Sequence, residues 1–155
     1  MLVCIDLSRL YFAIRSLGVA VDYEALLNVL EERASDEVEI VGYTTADPGN
    51  VKQAKFLERL AEMDVNVRIY PADSQPSFTA EIATEAALHE MKDVLIVSND
   101  SEFLRVFELL REGGKRPELC FFSDRLDAAW NPHVISGSVP FTDLSDPKIR
   151  KAITR

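Results

Sequence analysis

The sequence predicts a doubly wound α/β domain, a mostly parallel sheet between two layers of helices. Two observations carry this. Short apolar runs of strand length alternate with stretches whose apolar residues recur at helical period, and the connections between them are short, as in βαβ units. Residues 2–5 are apolar throughout, as a buried strand is, and a helix follows over about 8–16. Tyr23, Leu26, Leu27 and Leu30 mark one face of a second helix. Residues 39–44 alternate and form the second strand. Asp47-Pro48 is read as opening a third helix, with Asp as cap and Pro at the first helical position. Its apolar face would be Val51, Phe56, Leu57, Leu60 and Met63. Residues 65–70 form strand three, 71–78 a polar loop with two prolines, 79–91 a helix and 94–97 strand four. A helix over 101–111 ends at Gly113-Gly114, strand five covers 118–122, and a weaker segment runs to Leu144.

A chain of 155 residues and 17.4 kDa, 47% hydrophobic and 28% charged, is sized for one stable globular domain. We expect that domain over 1–144, with 145–155 as a short basic tail. The tail carries Lys148, Arg150, Lys151 and Arg155 against Asp146, a net of +3. The body carries 13 basic and 25 acidic side chains, a net of −12, and the whole chain −9. That balance argues against a generally basic nucleic-acid coat and against adhesion to anionic membranes, but it suits a pocket that holds a cation. A contact between the acidic body of one copy and the basic tail of another would allow a homo-oligomer. No apolar run is long enough to span a membrane, and the N-terminal run lacks a basic leader and meets Asp6. The expectation is a cytoplasmic protein. Cys4 and Cys120 lie far apart in apolar runs and read as buried thiols, not as a disulfide or zinc site.

In doubly wound sheets, ligands sit beyond the carboxyl ends of the strands. There the chain places Asp6 after strand one and Ser98-Asn99-Asp100-Ser101-Glu102 after strand four. Glu81 and Glu85 share one face of the preceding helix. Carboxylates converging from separate segments repel unless a cation sits among them, and hard oxygen donors suit Mg²⁺ or Mn²⁺. A metal-activated water could then attack a phosphodiester. Helix capping explains part of the same pattern: Asp6 could cap the first helix, and Asn99 with Glu102 has the spacing of a capping box. Glu81 and Glu85 could be a solvated helix face. Both readings stay open on spacing alone.

Other chemistries find less support. There is no G-x-G-x-x-G, no Walker A and no G-x-S-x-G elbow. Asp6 with Lys115 has the residue types of a haloacid-dehalogenase-type phosphatase, but Ser8 stands where the second Asp of D-x-D is needed. His89 reads as a helix-surface residue and His133 as a loop residue. Trp130, Phe121, Phe122 and Phe141 read as packing.

Several of these stretches together resemble the NYN domain family, the LabA-like branch of PIN-like nuclease folds. Asp6-Leu7-Ser8-Arg9-Leu10-Tyr11 resembles its opening D-x-x-N-L-Y. The segment from Tyr43 to Pro48, with Lys52-Gln53, Phe56-Leu57 and Leu60, resembles its second strand and following helix. Ser98 to Phe103 resembles its S-[GN]-D-x-D-F signature, and Gly114-Lys115 its later G-K. The resemblance implies a three-layer, Rossmann-like parallel sheet, Mg²⁺ or Mn²⁺, and cleavage of single-stranded or structured RNA in active members. It makes Asp6 and Asp100 metal ligands, puts Glu85 and Glu102 at two further acidic positions, and leaves Arg9, Ser98 and Asn99 to orient substrate. Arg9 stands where the family has Asn, and Thr79 where it has Asp. Two readings follow. One is a divalent-metal-dependent ribonuclease using Asp6, Glu85, Asp100 and Glu102. The other is a catalytically degenerate binding or scaffold protein in which Arg9 replaces the metal.

Overall fold

The computed structural model describes residues 1–33, 37–74, 77–147, 149 and 153–154, the backbone alone at 20, 21, 33, 153 and 154. The basic side chains expected in the tail, Lys148, Arg150, Lys151 and Arg155, fall outside these residues, as does part of the 71–78 loop. The chain runs β1 (Leu2–Asp6), α1 (Leu7–Leu17), β2 (Ala20–Val21), α2 (Tyr23–Arg33), β3 (Glu39–Thr45), α3 (Val51–Glu62), β4 (Val65–Tyr70), α4 (Phe78–Leu88), β5 (Asp93–Val97), α5 (Phe103–Glu112), β6 (Arg116–Phe121), α6 (Asn131–Ile135), β7 (Phe141–Asp143) and β8 (Ile153–Thr154). Six strands form one parallel sheet in the order β4-β3-β1-β5-β6-β7. The chain winds outward from β1 through β3 and β4, then returns to lay β5 on the other side of β1. The crevice between the carboxyl ends of β1 and β5 is therefore the topological switch point, where such sheets bind ligands.

Successive side chains of a strand point to opposite faces, and β1 serves both layers. Val3 and Ile5 pack with Leu10 and Ile14 of α1, Leu26 and Leu30 of α2, and Leu57 and Leu60 of α3. Leu2 and Cys4 face the other layer, with Ile82 and Ala86 of α4, Phe103 and Phe107 of α5, and Trp130. At Gly42 of β3 a Cβ would lie 2.8 Å from Leu7 Cδ1, so the missing side chain lets the first residue of α1 settle on the sheet. Burial of Leu7, Leu10 and Ile14 holds α1 with roughly 1.5–3 kcal/mol each. The Asp6 cap adds about 1 kcal/mol, so α1 stays seated if that cap is altered.

The predicted layers and five strands stand, with three differences. Asp47-Pro48 does not open a helix. Asn50 N–H bonds Asp47 C=O at 3.1 Å and Gly49 has φ +81°, a turn with Pro and Gly at its centre, and Asn50 caps α3 instead. Val51 is consequently exposed rather than part of the packed face. The weak final segment contains a sixth strand, β7, parallel to β6. Two short strands escaped the pattern reading as well: β2 and β8, paired antiparallel. Cys4 and Cys120 are buried thiols, and burial pushes the Cys4 pKa up to about 12. Among the described residues no helix is long and apolar enough to cross a membrane.

Candidate functional site

A cleft of about 690 Å³ opens at the β1/β5 switch point, and Asp6, Arg9, Asn99, Asp100 and Glu102 all line it. Asp6, buried at the end of β1, caps α1: its Oδ1 accepts the Arg9 N–H at 3.0 Å. Burial raises its pKa above the ordinary value, against the pull of the Arg9 N–H and guanidinium. The α1 N-terminus turns Arg9 back over the cleft. Its guanidinium donates to Asn99 Oδ1 at 2.8 Å and lies 3.6 Å from both Asp6 Oδ2 and Asp100 Oδ2.

Asp100 gathers contacts from three elements. Its Oδ1 accepts the Glu102 N–H at 3.1 Å, and its Oδ2 accepts the hydroxyl of Thr79, a buried residue in the first turn of α4. The buried Ser98 hydroxyl accepts the Asp100 N–H. The capping box expected from Asn99 and Glu102 does not form. The Asn99 side chain goes instead to Arg9 and to the Arg125 carbonyl, at 2.8 Å each, and Glu102 makes no side-chain cap.

Glu85 is elsewhere. Arg68 of β4 holds its carboxylate through two bonds, 2.9 and 3.2 Å long, and Glu85 does not line the cleft. Glu81 is exposed beside Tyr70. Lys115 lies at the opposite end of the strands from Asp6. It is buried, with its ammonium bonded to the carbonyls of His89 and Met91. That placement removes the phosphatase comparison and makes this lysine a tie between α4 and the entry to β6.

Sequence reasoning missed the supports after β6. Trp130, fully buried, donates its indole N–H to the Asn99 carbonyl at 3.1 Å; Asp127 accepts the Ser101 N–H at 3.1 Å; and Arg125 lines the cleft while bonding Ser16. These residues lie in short turns with no periodic signal. The one hint was Trp130 itself, the single Trp of the chain, in a stretch without apolar periodicity.

A parallel α/β sheet with an acidic cleft at its switch point defines a class of ligand-binding domains, and the family follows from comparison. The family model for the NYN domain matches residues 1–134, so the chain belongs to the NYN family, whose fold is PIN-like. The chain matches no curated protein and no solved structure. NYN nucleases are generally metal-dependent, which makes the cleft's donor set the deciding chemistry. Mg²⁺ needs near-octahedral oxygens at about 2.1 Å. Here a guanidinium stands between Asp6 and Asp100, the Asp100 oxygens accept Thr79 and a backbone N–H, and Glu85 is paired away. Among the described residues no group of three or more Asp, Glu, His or Cys side chains converges to hold an ion. As arranged, the cleft does not fit a resident divalent metal.

Proposed function

We propose that this NYN-family protein is an RNA-binding module whose metal position is taken by Arg9, and that it does not cleave RNA by the metal route. The observation that supports this is the Arg9 guanidinium 3.6 Å from both Asp6 and Asp100. A fixed cation there neutralises the paired carboxylates as a metal would, but brings no bound water to act as nucleophile. Thr79 acts in the same direction. Where the family has an acidic residue, its hydroxyl donates to Asp100 and occupies one of the oxygens a metal would need. Ser98 and Asn99 set the loop, and the remaining N–H groups of Arg9, on a side chain 40% exposed, are left to meet a substrate phosphate.

The test is thermal unfolding with Mn²⁺, with Mg²⁺ and with chelator. A ligand that binds the native state raises Tm by mass action. The expected result is one Tm in all three conditions and intact single-stranded RNA after incubation with Mn²⁺.

A second reading has its own support. Asp6, Asp100 and Glu102 line one cleft, and Arg9 touches the two aspartates only loosely. If Arg9 swings out and the Glu102 carboxylate turns in beside Asp6 and Asp100, the three would form a Mg²⁺- or Mn²⁺-dependent ribonuclease site. A Mn²⁺-dependent Tm rise in the wild type, with RNA cleavage abolished by Asp100→Asn, establishes this second reading and removes the first.

A further inference from the structure

The cleft alone is poorly equipped to hold a polyanion, because Asp6, Asp100 and Glu102 outnumber Arg9 and Arg125. Beside it lies a second hollow of about 600 Å³, between α1 and α3 at the carboxyl ends of β1 and β3. Ser8 and Phe12 line both, so the two adjoin. The hollow is of opposite character. Arg15 and Lys52 line it against Asp47 alone. By contrast, the depression between α2 and α3 is lined by Glu24, Glu31, Glu62 and Asp64 against Arg59.

Among the described aromatic residues, Tyr11 and Phe12 stand apart, since every other one is buried or partly buried. Phe12 is 70% exposed and Tyr11 54%, on consecutive positions of α1 with ring centroids 6.4 Å apart. The Arg15 guanidinium lies 5.8 Å from the Tyr11 ring centre. Exposed rings interleaved with cations are what a single strand needs: bases stack on the rings and phosphates meet the cations. A duplex, with its bases already stacked, would leave the rings unused.

We infer that this hollow is the principal anchoring site for single-stranded RNA, stacking one base on Phe12 and one on Tyr11 and holding the flanking phosphates with Arg15 and Lys52. The strand continues past Ser8 into the switch-point cleft. This rests on the RNA-binding reading above and supplies the positive charge that the cleft lacks.

The test uses the full chain, a fluorescently labelled single-stranded oligoribonucleotide of mixed sequence, and anisotropy in low salt with chelator. Phe12→Ala and Tyr11→Ala should each weaken binding by roughly 5- to 150-fold, the range for loss of one base–aromatic stack. Lys52→Gln should weaken binding and reduce the salt slope by about 0.7, one single-strand phosphate contact. Lys55→Gln, on α3 but outside the hollow, should change neither. Both rings are exposed, so unchanged Tm values verify that the variants fold. If the wild type binds no RNA, the RNA reading and this inference fall together. If it binds and Arg9→Ala weakens binding but Phe12→Ala and Tyr11→Ala do not, the RNA reading stands and the hollow is not its anchor. If sedimentation shows wild-type dimers that Phe12→Ala dissociates with RNA affinity unchanged, the surface joins two copies and the inference is overturned.

Discussion

Arg9 and Arg68 both meet carboxylates in this molecule, and they do so in opposite ways. Arg68 grips Glu85 through two bonds of 2.9 and 3.2 Å, a closed fork in which each group satisfies the other. The Arg9 guanidinium is shared between Asp6 and Asp100 at 3.6 Å from each, and its one close bond goes to neutral Asn99. A bidentate pair is specific and spends its donors on one partner. A shared guanidinium neutralises two carboxylates and keeps donors for a third group. The first arrangement therefore belongs to the scaffold and the second to the site, although both were acidic positions of equal standing in the sequence.

The strongest way to break this contrast is to remove the shared cation. Arg9→Asn restores the family's residue and should create a Mn²⁺ response absent from the wild type. At an ion concentration of about 100 times Kd, the gain is about 2.7 kcal/mol, a Tm rise of roughly 5–10 °C by thermal unfolding. Opening the closed pair should matter next. Arg68→Ala leaves a partly buried Glu85 without its partner and should cost about 1–2 kcal/mol in urea denaturation, discounted for the exposure of Arg68. No metal response should accompany it. Thr79→Val removes the hydroxyl donated to Asp100 and should cost about 1 kcal/mol by the same measurement.

The smallest effect concerns pH. Burial raises the Asp6 pKa in the folded state, so the cost of its ionisation grows as the pH rises from the unfolded value to the folded one, is complete above the folded value and is absent below the unfolded one. Asp6→Asn should therefore raise Tm by a few degrees at pH 7, with the difference closing as the solution is acidified through the folded pKa. A gain that persists undiminished in acid would show that charge burial is not its cause.

What could be read from the sequence follows the range of the interactions involved. The strands β1, β3, β5 and β6 declare themselves because each buries a continuous or nearly continuous set of residues, and the edge strand β4 because Val65, Val67 and Ile69 alternate along it, although only Val65 is buried. Asp6 and Asp100 were legible for the same reason, since each ends or follows such a strand. Glu85 was not, because a helix face says which residues lie together and not which neighbour they meet; Arg68 comes from another strand. The α3 start was misplaced by three residues, because Pro and Gly within a turn carry the same letters as a helix entry. Trp130 and Arg125 lie in non-repeating turns whose role depends on contacts with the Asn99 loop.

The strand order has a consequence for how the protein comes into being. β1 is made first and sits centrally, yet one of its neighbours, β5, is more than eighty residues away along the chain. During synthesis at about 5–20 residues per second, β1 waits for several seconds with an open edge. Only the arrival of β5 closes that edge and brings Asp100 to Asp6. An unfinished chain therefore has β1 and Arg9 but no cleft, and the cleft is among the last features to form.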